Sequence, residues 1–541
     1  MAKSKKEVAK VKNTSVTTMK KEKKSKEPKD IVNNGGILKI TSLYPAKAQE
    51  IKEQSIKSFS DEALFVYGSY VVEDRAVPDF RDGLKPVHRA VLWSLAGLGL
   101  RSDKAFKKSA RTVGDAIGKY HPHGDGACYG AMVTIANSNP PLVSGQGGYG
   151  KPDGTPASAY RYTEAKMSKF TDMFLLDAQY LKVVPHVPNF SNDDKLPLYL
   201  PALLPTLFFI TSTPPPAYGV KVGNPAFSMG TISKVVIDML NGKEYTPKKL
   251  AETLKIFHPF GCIDVSKDEA IEEMMATGKG SVQYMPVVDT DIEKRTINIR
   301  SFCPGTLAGE DTIARTVEKL ANIDGVKNAY NTPGKNVKGS GPYGALISVS
   351  CPKNMDEDRF DEICAQVDKI VRSSVSYRLG ITVRKSGTEA NEFKYVNFVQ
   401  YFNAWIKYRI RLEERLIESL LEKAAKDLHL NEVYLYAVKN RDQLLKVLGK
   451  VLASKDPAGA LAKALRMPVE DAEIILERKV KQLAALEASD LEKKIKDIKA
   501  EIKALKADQK EPGKRAARDT VERVKRYMKR PDVTQSGIPV E

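Results

Sequence analysis

Cysteine is scarce in this chain of 541 residues. Its five cysteines, Cys128, Cys262, Cys303, Cys351 and Cys364, are odd in number and scattered. That excludes a disulfide framework and suits a reducing compartment. Metal-ligand spacing is scarcer still: His258 and Cys262 are the one hint, and two ligands do not make a zinc site. No apolar run approaches the roughly 20 residues needed to cross a bilayer. The lysine-rich N-terminus lacks the apolar segment of a secretory signal. No phosphate-binding loop of the G-x-x-x-x-G-K-[ST] kind occurs, so nucleotide hydrolysis has no cradle here. Acidic residues are in deficit, 67 against 86 Lys and Arg, giving a net charge of +19 and a pI of about 9.3. Such an excess favours polyanionic partners, nucleic acid first and anionic membrane second.

What is present divides into segments. The length implies three or four domains, and 42% apolar residues supply their cores. Residues 1–30 hold eleven lysines against four acids and no aromatics, the pattern of a disordered basic tail. Such a tail either touches DNA non-specifically or keeps the chain soluble. From about 60 to 140 the period is helical. One face carries Val87, Val91, Ser94, Leu95 and Leu98, the next Ala110, Val113 and Ile117, and the third Ala127, Ala131 and Ile135. Three short helices with tight connections make a helix-turn-helix. The glycine-rich run 145–156 then reads as a β-hairpin turn, which makes the unit a winged helix. Residues 195–230 are rich in proline and aromatics. Strand-like segments ("SVQYMPVVDT", "TINIRSF", "GALISVSC") alternate with helical ones from 280 to 352, as a separate α/β domain. From 397 the chain is helical and charged. Leu491, Ile495, Ile498, Ile502 and Leu505 follow a 4-3-4-3 spacing that predicts a coiled coil, and "DPAGALAKALRMP" interrupts it with a small globular head.

The stretch "SAYRYTEAKM" puts Tyr162 beside Arg161, just past "SGQGGYGKPDGTPA". A tyrosine there is either a core aromatic with a polar tip or a nucleophile whose attack needs nearby charge stabilisation. Ten Lys/Arg residues run from Arg75 to Lys119, with only four acids among them. His88, His121 and His123 fall in or just after that stretch. A basic winged helix ending at such a tyrosine is a DNA-binding surface with a candidate nucleophile. Two rivals remain: a non-enzymatic winged-helix DNA binder with a coiled-coil dimeriser, and a tyrosine recombinase. The binder has no need of Arg161 and Tyr162 at the wing. The recombinase carries its nucleophile near the C-terminus, with a different arginine–histidine pattern.

Four motifs occur in order: "RAVPDFRDGLKPVHRAVLWSL", "KKSARTVGDAIGKYHPHGD", "SGQGGYG" and "YRYTEAKM". Together they resemble the A subunit of type IIA topoisomerases, the family of gyrase and topoisomerase IV A subunits with its shorter phage members. The resemblance runs from about residue 60 to 530, and "ILERKVKQLAALE" looks like that family's dimerising segment. It implies an α+β multidomain fold: a basic tail (1–35), a winged-helix DNA gate with the catalytic tyrosine (36–240), an α/β tower (241–396), and an antiparallel coiled coil with a helical dimerisation head (397–530). Residues 531–541 form a tail.

The resemblance also implies roles. Tyr162 attacks a DNA phosphodiester and takes the 5′-phosphate, and Arg161 stabilises charge on the phosphorus. Arg75, Lys85, His88, Arg89, Lys108, Arg111, His121 and His123 contact DNA at the gate. Val220, where the family has isoleucine, wedges between base pairs and bends the duplex. Gly126 and Gly130 stand where the family has a serine and an acid that hold the water shell of a quinolone-bound Mg²⁺. No metal site is expected in this chain. Mg²⁺ and ATP are expected on a separate B subunit, in an A₂B₂ assembly with double-stranded DNA and no membrane partner. The A subunit would dimerise through gate and head. Such an enzyme relaxes or decatenates DNA in a bacterial cytoplasm or that of a phage-infected host. Because the chain stops at "RYMKRPDVTQSGIPVE", a DNA-wrapping domain is expected to be absent, and with it negative supercoiling.

Overall fold

The computed structural model describes residues 55–530, apart from 151–154, 211–219, 259–260, 302, 305–309, 333–345, 385–390 and 478–486. The expected tails, and most of "ILERKVKQLAALE", therefore lie outside the described residues. The described chain mixes helices with small antiparallel sheets. None of its helices is long and apolar enough to cross a membrane.

Helix α1 (Ile56–Val71) opens the described chain and exposes Ile56, Phe59 and Phe65. Helix α2 (Pro86–Gly97) starts on a proline, whose fixed φ suits the first helical position. It stops at Gly99, whose φ of +66° a side chain would resist. Its buried face carries Val91, Ser94 and Leu95, as the spacing predicts. Helix α3 (Ser109–Lys119) buries Thr112, Val113 and Ala116. Helix α4 (Asp125–Ala136) departs from expectation: Ala127 is exposed, and the buried face is Cys128, Tyr129, Met132 and Ile135. The larger side chains take the interior, because burying them removes more apolar area from water.

Three strands complete this unit: β1 (Lys107–Lys108), β2 (Val143–Gln146) and β3 (Glu164–Met167), in the order β1-β3-β2. Both pairings are antiparallel, with Lys108 opposite Glu164 and Val143 opposite Met167. The glycines of "SGQGGYG" serve close approach as well as turning. A Cβ at Gly145 would sit 2.5 Å from the Tyr149 ring, and one at Gly148 would sit 2.5 Å from Ser158 Oγ.

Three hydrophobic cores organise the rest. The first runs from Leu84 through Leu254 to Tyr284, then takes in Phe398–Leu416 and Ala516–Tyr527. It does not break at residue 240, so the helices Pro247–Thr253 and Asp268–Thr277 pack with it. The second core lies under a four-stranded antiparallel sheet (Val288–Asp291, Thr296–Ile299, Ile347–Ser350, Asn328–Asn331), covered by the helices Glu310–Ala321 and Glu357–Val371. The third gathers Val433, Leu444, Leu461 and Ile475.

A 42-residue helix, Phe398–Lys439, begins on a capping box between Asn397 and Gln400 and packs against the helix Ala488–Lys510. Lys439 pairs with Glu492 and Lys499 with Glu432, so the two helices run antiparallel. Leu491, Ile495 and Leu505 of the predicted seam are buried. At the base of this pair, Arg409 and Glu413 are wholly buried and joined at 2.6 Å. Tyr180 donates to Glu413 at 2.8 Å, Arg515 also pairs with Glu413, and Arg409 reaches Asp519 at 3.3 Å. The network ties the long helix and the helix Pro512–Met528 to Tyr180, in the short helix Ala178–Leu181.

Removing one partner strands a buried charge, which costs about 3–5 kcal/mol. Glu413→Ala is therefore expected to lower the urea midpoint strongly. Arg409→Met with Glu413→Leu should recover most of the loss. A single mutant as stable as wild type would show the network to be energetically idle.

Candidate active site

Tyr162 sits in the link into β3, between two residues, Tyr160 and Thr163, whose carbonyls cap α3. Helix α3 has no side-chain cap, so its first N–H groups need other acceptors. Ser109 N donates to Thr163 O at 3.0 Å, and Ala110 N donates to Tyr160 O at 3.3 Å. A turn bond from Tyr162 N to Ala159 O (2.8 Å) closes the loop. Behind it lies a buried chain of hydroxyls. Tyr129 bonds Thr163 at 2.9 Å, Thr163 donates to Ser109 at 2.8 Å, and Ser109 meets Tyr149 at 2.8 Å. The backbone around the tyrosine is thus fixed from two sides.

The Tyr162 ring itself stands out from this support, 65% exposed. The Arg161 guanidinium carbon lies 4.8 Å from its ring centroid. Lys108 Nζ donates to the Tyr162 carbonyl at 3.4 Å and pairs with Glu164 at 3.2 Å. Arg111 is exposed on α3. An exposed phenol on a hydrogen-bonded loop with two cations beside it is not a core aromatic.

The histidines form a second group. His121 and His123 stack with centroids 4.4 Å apart. Desolvation, then His123 and Arg75, pushes His121 down to about 4. Burial, helped by Lys85 and Arg89, pushes His88 down to about 3. Both are neutral at pH 7 and offer hydrogen bonds rather than fixed charge. The Nδ1 atoms of His88 and His123 are buried without a partner. Burial also lowers Lys85. Tyr160, in the tyrosine loop, hydrogen-bonds Asp125 at the start of α4, two residues after His123.

Arg89 stands apart. It is buried and donates to Asp82 at 2.8 and 3.2 Å. Asp82 also accepts from the backbone of Leu84 and Leu200. The charge of Arg89 is engaged inside the fold, behind the surface where the motif alone places it. Val220 is half-buried on another segment, and Gly126 and Gly130 are exposed on α4.

Sequence reasoning missed the hydroxyl chain and Tyr160. The signal was the run of tyrosines at 129, 149, 160 and 162, which exceeds what a nucleophile alone requires. Among the described residues, no three His, Cys, Asp or Glu converge to hold a metal. Near the tyrosine, Asp125 is bonded to Tyr160 and Glu164 to Lys108.

Comparison with known proteins gives a consistent result. The family of DNA gyrase/topoisomerase IV A subunits matches residues 75–520. The DNA topoisomerase 4 A subunit of Escherichia coli (strain K12) is 29% identical over 462 residues, covering 83% of this chain and 57% of that protein. The DNA gyrase A subunit of Kosmotoga olearia is 29% identical over 84% of this chain and 55% of its own length. The chloroplastic/mitochondrial DNA gyrase A subunit of Nicotiana benthamiana is 28% identical over 82% and 47%. The chain thus spans about half the length of the curated relatives it matches.

Proposed function

Because this chain belongs to the family of DNA gyrase/topoisomerase IV A subunits, we infer that it is the DNA breakage–reunion subunit of a type IIA topoisomerase. The observation that carries this is the exposed Tyr162, held between two residues whose carbonyls cap α3, with Arg161 and Lys108 beside it. In this reading the three helices and three strands form a winged helix. The sheet unit over the second core is the tower, and the antiparallel helix pair is the coiled coil.

The phenol oxygen attacks a backbone phosphorus, forming an O–P bond as the bond to the 3′-oxygen breaks. Charge builds on the phosphoryl oxygens, where a fixed guanidinium stabilises it most. The phosphotyrosine keeps the energy of the broken bond, so resealing reverses the step without ATP.

In this reading Mg²⁺ and ATP are held by a B subunit in an A₂B₂ complex. Bound Mg²⁺ would assist departure of the 3′-oxygen. The share of this chain's residues is to aim the nucleophile and neutralise charge.

The test mixes this chain with a B subunit, Mg²⁺ and supercoiled plasmid, and then adds detergent. Linear DNA covalently bound to the chain supports the reading. Bound but intact DNA would leave a non-enzymatic DNA binder.

Affinity should also depend steeply on salt, because neutralised phosphates release counterions. With about six phosphates neutralised, the log–log slope should be about −5 or steeper. A flat response in a filter-binding or anisotropy titration would argue against a DNA gate.

A further inference from the structure

One exposed cation is built into the mount of Val220. The segment from Val220 to Asn224 is clipped onto strands far away in sequence. Gly223 N donates to the Arg378 carbonyl at 2.9 Å, and Tyr395 Oη donates to the Lys221 carbonyl at 3.5 Å. Val222 presses on Gly380, where a Cβ would lie 3.1 Å from both its methyl groups. Arg378 ends the strand Ser373–Arg378 and Tyr395 ends the strand Asn391–Tyr395.

The Arg378 side chain does not turn inward. It is exposed, and its guanidinium carbon lies 3.6 Å from the Tyr395 ring centroid. A guanidinium flat on a ring keeps its N–H edges free and loses little entropy on binding. Lys279 lies opposite in register and Lys221 lies beside Val220, both exposed. A group with this geometry suits a planar, bidentate anion contact such as a phosphate.

We propose that Arg378, oriented by Tyr395, binds a backbone phosphate of the duplex next to the step that Val220 opens, coupling wedge insertion to a phosphate anchor. This rests on the reading of Val220 as the wedge. Tyr395 is a positioning residue and Arg378 a DNA contact. The motifs that point to the site carry neither residue.

The test uses the full chain, its B subunit, and a duplex carrying donor and acceptor dyes on its two arms. Bending is read by energy transfer, and binding by a salt titration. Arg378→Ala should make the log–log salt slope shallower by about 1 and lower the bent fraction at least threefold. Tyr395→Ala should reproduce most of the bending loss, and Tyr395→Phe, which keeps the stack, should behave as wild type. An unchanged slope and bent fraction in Arg378→Ala would overturn the proposal. So would a Tyr395→Phe defect as large as that of Tyr395→Ala, which would mean that the hydroxyl clip alone matters. Val220→Ala separates the two readings. If it bends DNA as wild type does, the wedge reading fails, and the salt slope of Arg378→Ala still decides the phosphate contact.

Discussion

Tyr162→Phe is expected to bind DNA as wild type does and to cut none of it. The substitution removes one oxygen. The ring stays, and with it the contact to Arg161. The bonds that fix the loop come from backbone groups and from the hydroxyls of Tyr129, Thr163, Ser109 and Tyr149, not from Tyr162 Oη. Affinity should therefore stay within about threefold, well under 1 kcal/mol. Covalent complex should fall at least about a thousandfold, since loss of a nucleophile leaves only the residual effect of the surrounding site. Arg161→Ala should slow cleavage by about 10²–10³ with a smaller effect on binding, because a guanidinium aimed at the phosphoryl oxygens acts mainly in the transition state. Cleavage by the Phe enzyme at the wild-type rate would remove Tyr162 from its role.

The sequence carried the helices and strands well where side chains alternate by burial. Val91, Ser94, Leu95 and Val113 are buried as their spacing predicts. The strands Thr296–Ile299 and Ile347–Ser350 fall within the segments that read as β. At α4 it held for Ile135, which is buried, but not for Ala127, which is exposed, while Ala131 is half-buried. Alanine and glycine carry too little area to decide which side is buried.

The candidate site was legible as a motif and not as a geometry. Arg89 illustrates why. Its partner Asp82 lies seven residues away, within the same motif, so charge counting enters both as surface groups. Only the fold shows that the pair is buried. The mount of Val220 was invisible for a different reason. Its bonds join residues more than 150 positions apart, and no local period records them.

Restoring a quinolone site should be possible with two substitutions on α4. Gly126 and Gly130 are four apart on one helical turn and both exposed, so side chains placed there would share a face. A Cβ at either position would meet no atom within 4 Å. Gly126→Ser with Gly130→Glu should therefore fold at least as well as wild type, since each glycine costs a helix about 1 kcal/mol against alanine. The new side chains can accept hydrogen bonds from the water shell of a drug-bound Mg²⁺, which glycine cannot. A hydrogen bond to a charged group contributes about 1.5–3 kcal/mol, and each 1.4 kcal/mol is about tenfold. Two such contacts should lower the fluoroquinolone concentration that half-saturates cleavage complexes by about a hundredfold. Cleavage promoted by Ca²⁺ without drug should be the same in both enzymes, because neither glycine touches the Tyr162 loop. The measurement is a drug titration of trapped linear DNA for wild type and double variant. If wild type already responds at the concentrations typical of bacterial enzymes, or the double variant gains nothing, the missing side chains are not what weakens the drug here.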